Sequence, residues 1–224
     1  MRTVPIAALV PMRHTSERVP GKNYRVVAGR PLYAYILDTL LACPEIAVII
    51  VDTDSPPIRE GIASAFPSVL ILDRPEHLRA GDTSMNEVIL HDVEAVPADI
   101  YLQTHSTNPL LRPDTISRAV EAFRSDSVHD SLLGVSRVRA RLWSLDGRPV
   151  NHDPDRLLRT QDLPTLFEEN SCLYLFRRRT FLERRNRIGT NPHLWEIDRE
   201  EAWDIDDELD LAVVESLLRR KSES

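Results

Sequence analysis

The chain has 224 residues, 42% of them hydrophobic and 28% charged, with a formal net charge of -7. That composition is ordinary for a globular protein with one sizeable core; it excludes a disordered chain and, through its acidity, a general nucleic-acid binder. The longest purely apolar run, "IAVIIV" at 46 to 51, is far short of the roughly 20 residues that span a bilayer, and the N-terminal apolar stretch is too soon broken by charge for a secretory signal, so no membrane partner and a cytoplasmic location are expected.

In chain order, "PIAALV" reads as a strand, "PLYAYILDTLLAC" as a helix with Pro31 in its first turn, and "IAVIIVDTD" as a second strand. The alternation continues through "IREGIASAF", "VLILD", "SMNEVILHDVEAV", "DIYLQT", "DTISRAVEAF" and "SLLGVSRV", each pair divided by Pro, Gly, Asp or Ser. It predicts an α/β fold: a mostly parallel, Rossmann-like sheet with helices on both faces. Residues 139 to about 168 are polar, rich in Arg, Asp and Pro, and without a sustained period, so they read as an arm inserted into a single domain spanning the chain. Order resumes with "NSCLYLFRR", a short helix "TFLERR", the stretch "LWEID", and a closing amphipathic helix "ELDLAVVESLLRRK" with Leu209, Val213 and Leu217 on its inner face. Cys43 and Cys172 sit in apolar contexts without metal-ligand spacing and read as buried free thiols.

In open α/β sheets ligands bind beyond the carboxyl ends of the strands, and the first such loop here, "PMRHTSERVPGKNYR", is locally cationic. Arg13 offers a planar fork for phosphate oxygens, Lys22 a compact charge, and the Pro20-Gly21 corner a turn that would bring backbone N–H groups toward an anion. The loop is not a Walker A motif, because Ser16 stands where its first glycine belongs and Asn23 replaces the hydroxyl residue. A merely basic surface loop is the competing reading. Near the C-terminus "WDIDDELD" projects Asp204 and Asp206 to one side of an extended backbone, an arrangement that suits Mg²⁺ shared with substrate phosphates. Helix capping by Asp206 or Asp207, with Glu208 near the positive end of the dipole, accounts for part of the same stretch.

Taken in order, "RHTSERVPGKN", "VDTD" at 51 to 54, "RPEHLRAGDTSMNEVI" at 74 to 89 and "DIDDELDLAVVE" at 204 to 215 resemble the motifs of the CMP-acylneuraminate synthetases, as do "TQDLP" and "ENSCLYLF". These cytidylyltransferases, of the nucleotide-diphospho-sugar transferase fold, activate sialic and related ulosonic acids. The resemblance implies that Arg13, Ser16, Lys22 and Asn23 handle the triphosphate, with Arg13 and Lys22 as phosphate ligands. It further implies that Arg74 and Asn86 approach the cytidine, that Asp204 and Asp206 hold Mg²⁺, and that Gln161 and Asn170 lie near the acceptor sugar. It also implies a homodimer in which the arm completes the neighbouring subunit's site. On the residues alone, Arg74 pairing with a carboxylate, Asn86 idle on a helix face and Asn170 in a turn are the competing roles.

Several positions depart from the family pattern. His14 and Thr15 replace small residues, Glu17 and Arg18 replace the usual Lys and Gly, and "LQTHSTNPLLR" leaves Gln103 or His105 as the occupant of the family's acceptor-site glutamine position. The reaction implied is attack by the anomeric hydroxyl of a nine-carbon 2-keto acid sugar on the α-phosphorus of CTP, with pyrophosphate leaving and Arg156 or Arg159 of the arm meeting the sugar carboxylate. Two other readings stay open: a same-fold transferase using GTP with a sugar 1-phosphate or CTP with a shorter 3-deoxy sugar acid, and a non-catalytic nucleotide-binding module, to which Glu17 points.

Overall fold

The computed structural model describes residues 5–222. Its core is a seven-stranded sheet built from β1 (Ile6–Leu9), β4 (Ile46–Thr53), β5 (Leu70–Asp73), β6 (Ile100–Gln103), β7 (Ser131–Arg137), β8 (Phe167–Arg177) and β9 (Pro192–Glu196), in the order β5-β4-β1-β6-β8-β7-β9. A small hairpin of β2 (Val26–Val27) and β3 (Arg30–Pro31) stands apart from it. The central strand β1 is buried on both faces, which is why its sequence is a continuous apolar run.

The alternation of side chains along β1 sorts the helices. Ile6, Ala8 and Val10 meet α1 (Leu32–Leu41), α2 (Pro56–Ala65) and α4 (Pro113–Ser125), while Ala7 and Leu9 meet α3 (Met85–Ala95) and α5 (Arg178–Arg184). A third cluster seats α6 (Glu208–Ser222) through Leu211 and Val214 against Leu32, Val27, Leu110 and Ile205. The inner face of α6 differs from the expected one: Leu209 is 72% exposed, and Leu211, Val214, Leu217 and Leu218 do the packing. Asp207 Oδ1 accepts the N–H groups of Leu209 and Asp210, so the helix starts there and Leu209 falls in the outward-facing first turn. Pro31 likewise precedes α1 as its N-cap residue rather than lying within its first turn.

Within the seven-stranded sheet all pairings are parallel except those of β8, which runs antiparallel between β6 and β7. The cause is the arm. The chain leaves β7 at the ligand-side rim, folds upon itself through residues 138 to 166, and re-enters at the same rim, with Val138 donating to the Leu166 carbonyl at 2.9 Å. The next strand has to run downward. Cys43 and Cys172 are buried free thiols, and among the described residues no helix is long and apolar enough to cross a membrane.

The cationic loop turns at Gly21, whose φ is 65° and whose missing Cβ would sit 2.9 Å from the Tyr24 ring. The amides of Lys22, Tyr24 and Arg25 are used inside this corner, on the Val19 and Gly21 carbonyls, so these three are not available as donors to an anion. Gly21→Ala is expected to lower stability by about 1–2 kcal/mol, measured by urea unfolding, since it adds both left-handed strain and a clash.

Candidate active site

The cationic loop, the chain following β5 and the 204–206 segment enclose a cavity of about 480 Å³ at the carboxyl ends of the parallel strands. Arg13, Ser16, Lys22, Asn23, Arg74, His105, Asp204 and Asp206 all line it. Lys22 Nζ donates to the Ile205 carbonyl at 2.5 Å and lies 3.9 Å from Asp206 Oδ1, with its side chain only 13% exposed. Burial lowers its pKa, and Asp204 and Asp206 partly restore it. Arg18, which stands where the family has a glycine, bonds Asp206 Oδ1 at 2.7 Å. Asn23 ties the loop down: its amide donates to the Arg13 carbonyl at 2.7 Å and its Oδ1 accepts from Ser106, also at 2.7 Å. Glu17 and Arg13 close over Gly81, where an added Cβ would lie 3.3 Å from the carboxylate and 3.4 Å from the guanidinium.

A larger trough of about 1060 Å³ adjoins this cavity and shares Ser171, Asp204 and Asp206 with it. Asn170 lines the trough, donating to Ser136 Oγ at 3.1 Å and accepting from the Cys172 amide at 3.3 Å. Ser171 has φ 59°, a left-handed conformation unusual for a residue with a side chain. Asp204, in the wall between the two spaces, has a buried Oδ1 with no hydrogen-bond partner. Burial raises its pKa, Asp206 adds to the rise, and Thr107 and Lys22 oppose it.

A sequence model of the cytidylyltransferase family matches residues 7–219. The chain belongs to the cytidylyltransferase family. It is accordingly a nucleotidyltransferase. Among its relatives are the CMP-N,N'-diacetyllegionaminic acid synthase of Legionella pneumophila, 29% identical over 98% of each chain, and post-translational flagellin modification protein B of Campylobacter coli, 26% identical over 94% of this chain and 93% of the relative. The 3-deoxy-manno-octulosonate cytidylyltransferase of Escherichia coli is 30% identical over 53% of this chain and 46% of its own. The chain thus spans about half the length of some curated relatives and nearly all of others. The fold is that of a CMP:2-keto-3-deoxy-manno-octonic acid synthetase solved with CTP, at a TM-score of 0.73 and 16% identity over 97% of this chain and 99% of that one.

Five of the residues picked from the sequence stand off both walls of this cytidylyltransferase. Asn86 turns to the 185–190 segment and accepts from the Arg187 amide at 3.2 Å. Gln103 is fully buried behind His105: its amide donates to His105 Nε2 at 2.9 Å and its Oε1 accepts from Arg187 at 2.5 Å. Gln161 lies exposed in a single turn of the arm (Thr160–Asp162), and neither Arg156 nor Arg159 lines either space of its own chain; Arg159 pairs with Asp162 at 2.7 Å. Of the two candidates for the strand-end position, His105 therefore faces the cavity.

Arg74 lines the cavity but is buried and ion-paired with Asp52, whose neighbour Asp92 is pushed up to about 9 by burial and by Asp52. Asp92 and Arg187 carried no signal in the sequence, and Asp52 entered only as part of the "VDTD" stretch, with no role of its own. Arg187 is a cation 15% exposed in its side chain, 3.6 Å over the Tyr174 ring, and its partner Gln103 is 84 residues away. Only the rule that a buried carboxylate in a strand needs a partner would have flagged Asp52.

Burial, with Arg187 and Lys22 adding repulsion, drives the His105 imidazole down to about 3 from 6.5. Between those values the unfolded chain takes up a proton that the folded chain refuses, so stability falls as the pH drops. His105→Gln is expected to lose less stability than the parent between about pH 7 and 4.5, the gap widening by up to about 1 kcal/mol per pH unit in urea melts. A gap independent of pH would contradict a neutral His105.

Proposed function

We propose that this cytidylyltransferase transfers the cytidylyl group of CTP to the anomeric hydroxyl of an acidic 2-keto sugar of the nine-carbon, sialic type, releasing pyrophosphate with Mg²⁺ as cofactor. One observation carries the reading: Asp204, with an unpartnered buried oxygen, stands in the wall between a cationic cavity sized for a nucleotide and an arginine-lined trough. An orphaned buried carboxylate oxygen is costly, and a hard cation would satisfy it. Asp206 beside it is half exposed, so the pair fits a Mg²⁺ ion whose remaining positions are filled by phosphate and water. Asp204 and Asp206 would hold that ion, and the chemistry it would supply is that of a Lewis acid, offsetting phosphate charge and lowering the pKa of an attacking hydroxyl.

The chain's own groups do the rest. Arg13 and Lys22 offset the charge growing on the leaving pyrophosphate, and the Asn23 to Ser106 tie fixes the loop that carries them. Ser16 offers a hydroxyl to the phosphates. Arg74, held by Asp52, presents an immobile donor edge toward the nucleotide base. His105 is neutral, and its Nε2 is occupied by Gln103, so it orients the acceptor side of the cavity and does not act as a general base through that atom. In the trough, Arg112 and Arg137 are committed to Glu201 and Glu196, and we assign the acceptor carboxylate to Arg139 and Arg199, with Asn170 beside them.

The name of the legionaminic acid relative supports a nine-carbon acceptor, and the 3-deoxy-manno-octulosonate relative keeps a shorter acid as the second reading. Pyrophosphate release with Mg²⁺ is the test, with CTP, GTP, UTP and ATP against nine- and eight-carbon 2-keto acids and sugar 1-phosphates. CTP with a nine-carbon acid should turn over, and Asp204→Asn should reduce the rate by at least about 10²-fold. Turnover with GTP and a sugar 1-phosphate would overturn the base and acceptor assignments.

We infer further that the protein is a homodimer. The arm exposes Trp143, Leu145, Val150 and Leu157, an apolar set that a second copy would cover. Sedimentation should give a dimer for the parent chain and a monomer for Leu157→Glu, with acceptor KM raised in the monomer.

A further inference from the structure

We propose that Asp126, His129 and His193 form a binding site for a transition-metal dication of the zinc class, at the end of the sheet opposite the nucleotide cavity. Asp126 follows α4, His129 lies in the turn leading into β7, and His193 is the second residue of β9. These two strands run parallel as neighbours, with Ser131 against Pro192 and Leu132 against His193, so the three side chains meet where both strands begin. The catalytic cavity lies beyond the other ends of the parallel strands.

The carboxylate is oriented as a ligand before any ion arrives. Its Oδ1 accepts the backbone N–H groups of Val128 at 2.8 Å and His129 at 2.9 Å, which leaves Oδ2 aimed at the two imidazoles. His129 Nδ1 approaches that one oxygen to 2.6 Å and His193 Nδ1 approaches it to 3.1 Å, the ring centroids being 4.9 Å apart. All three ligand atoms lie within 4.8 Å of one another. The His129 amide, the His129 ring and the Val128 amide hold Asp126 well below the usual carboxylate range, so it stays anionic.

Two imidazole nitrogens and one carboxylate oxygen are the ligand set that zinc takes at sites with an open fourth position. The side chains are 13% exposed at Asp126 and 32% at each histidine, enough for an ion to enter and for water to complete the coordination. The surrounding frame is fixed independently: Asp130 accepts the amides of Thr190 at 2.7 Å and Asn191 at 3.1 Å, locking the turn before β9 to the start of β7. The other cluster of similar composition, Asp52, His91 and Asp92, already holds a cation, because Arg74 fills that role. The ion's effect follows from the topology. β9 is the last strand of the sheet and pairs only with β7, so a metal joining His193 to the α4–β7 turn would clamp the sheet's edge.

The experiment is equilibrium dialysis of the full chain against Zn²⁺, with excess Mg²⁺ present to saturate carboxylate-only sites, alongside thermal unfolding. The parent should retain one Zn²⁺ per chain and gain roughly 5 °C in Tm at saturating ion, beyond any gain that Mg²⁺ alone gives. His193→Gln and His129→Gln, each folded by circular dichroism, should both lose the retained ion and the Tm gain while keeping nucleotidyl transfer. Zinc retention by both variants equal to the parent's, or no retention by the parent at tens of micromolar Zn²⁺, overturns the site; if one variant does not fold, the other decides.

Discussion

The site is held together by opposite charges withdrawn from water. Lys22 is mostly buried and Asp204 more so, and each is pushed toward its neutral form by that burial. They remain tolerable because they face each other, with Arg18 and Asp206 completing the set at 2.7 Å. Backbone contacts lock the arrangement: the Ile205 carbonyl takes Lys22 Nζ and the Ile205 amide donates to the Thr107 carbonyl at 3.0 Å. The extended 204–206 segment is thereby pinned between the cationic loop and the chain after β6. The acidic segment thus supplies the cationic loop with its counter-charges from within the chain.

The sheet and most helices were legible because their signals are local. A strand buried on both faces reads as an unbroken apolar run, and helices read from period and caps, as at Ser84 before α3, whose hydroxyl accepts the Asn86 amide. The cationic loop and the Asp204/Asp206 pair stood out for the same reason: each is a cluster within a few residues. The inner face of α6 was misread although its start at Glu208 was not: the helix carries more than one apolar row, and the row that meets Val27, Leu32 and Leu110 is the one through Leu211, Val214 and Leu218, which leaves Leu209 outside.

Partners distant in sequence were not legible. Gln103 and His105 are two apart and so project alike from an extended backbone; what separates them is Arg187, 84 residues from Gln103, which draws the glutamine inward. Arg74 looked like a base-recognition residue or a salt-bridge partner, and it is ion-paired to Asp52 while lining the cavity, so the two roles are compatible. The antiparallel strand β8 has a similar consequence for geometry. It starts at the rim where the parallel strands end, so Asn170 and Ser171 reach the trough from the beginning of a strand, and the bend at Ser171 is held against a left-handed strain of about 1 kcal/mol.

The pair formed by Arg18 and Asp206 joins residues 188 positions apart. On the ribosome the two halves of the site are therefore made far apart in time. β1, β4 and β5 emerge with their cationic loop early and pair among themselves, whereas the acidic segment that neutralises the loop follows every described strand. Until residues 204 to 206 are made, the nascent loop lacks Asp204 and Asp206, the carboxylates that Arg18 and Lys22 meet in the fold. Closure of the site requires the chain as far as α6, so its integrity reports long-range as well as local structure.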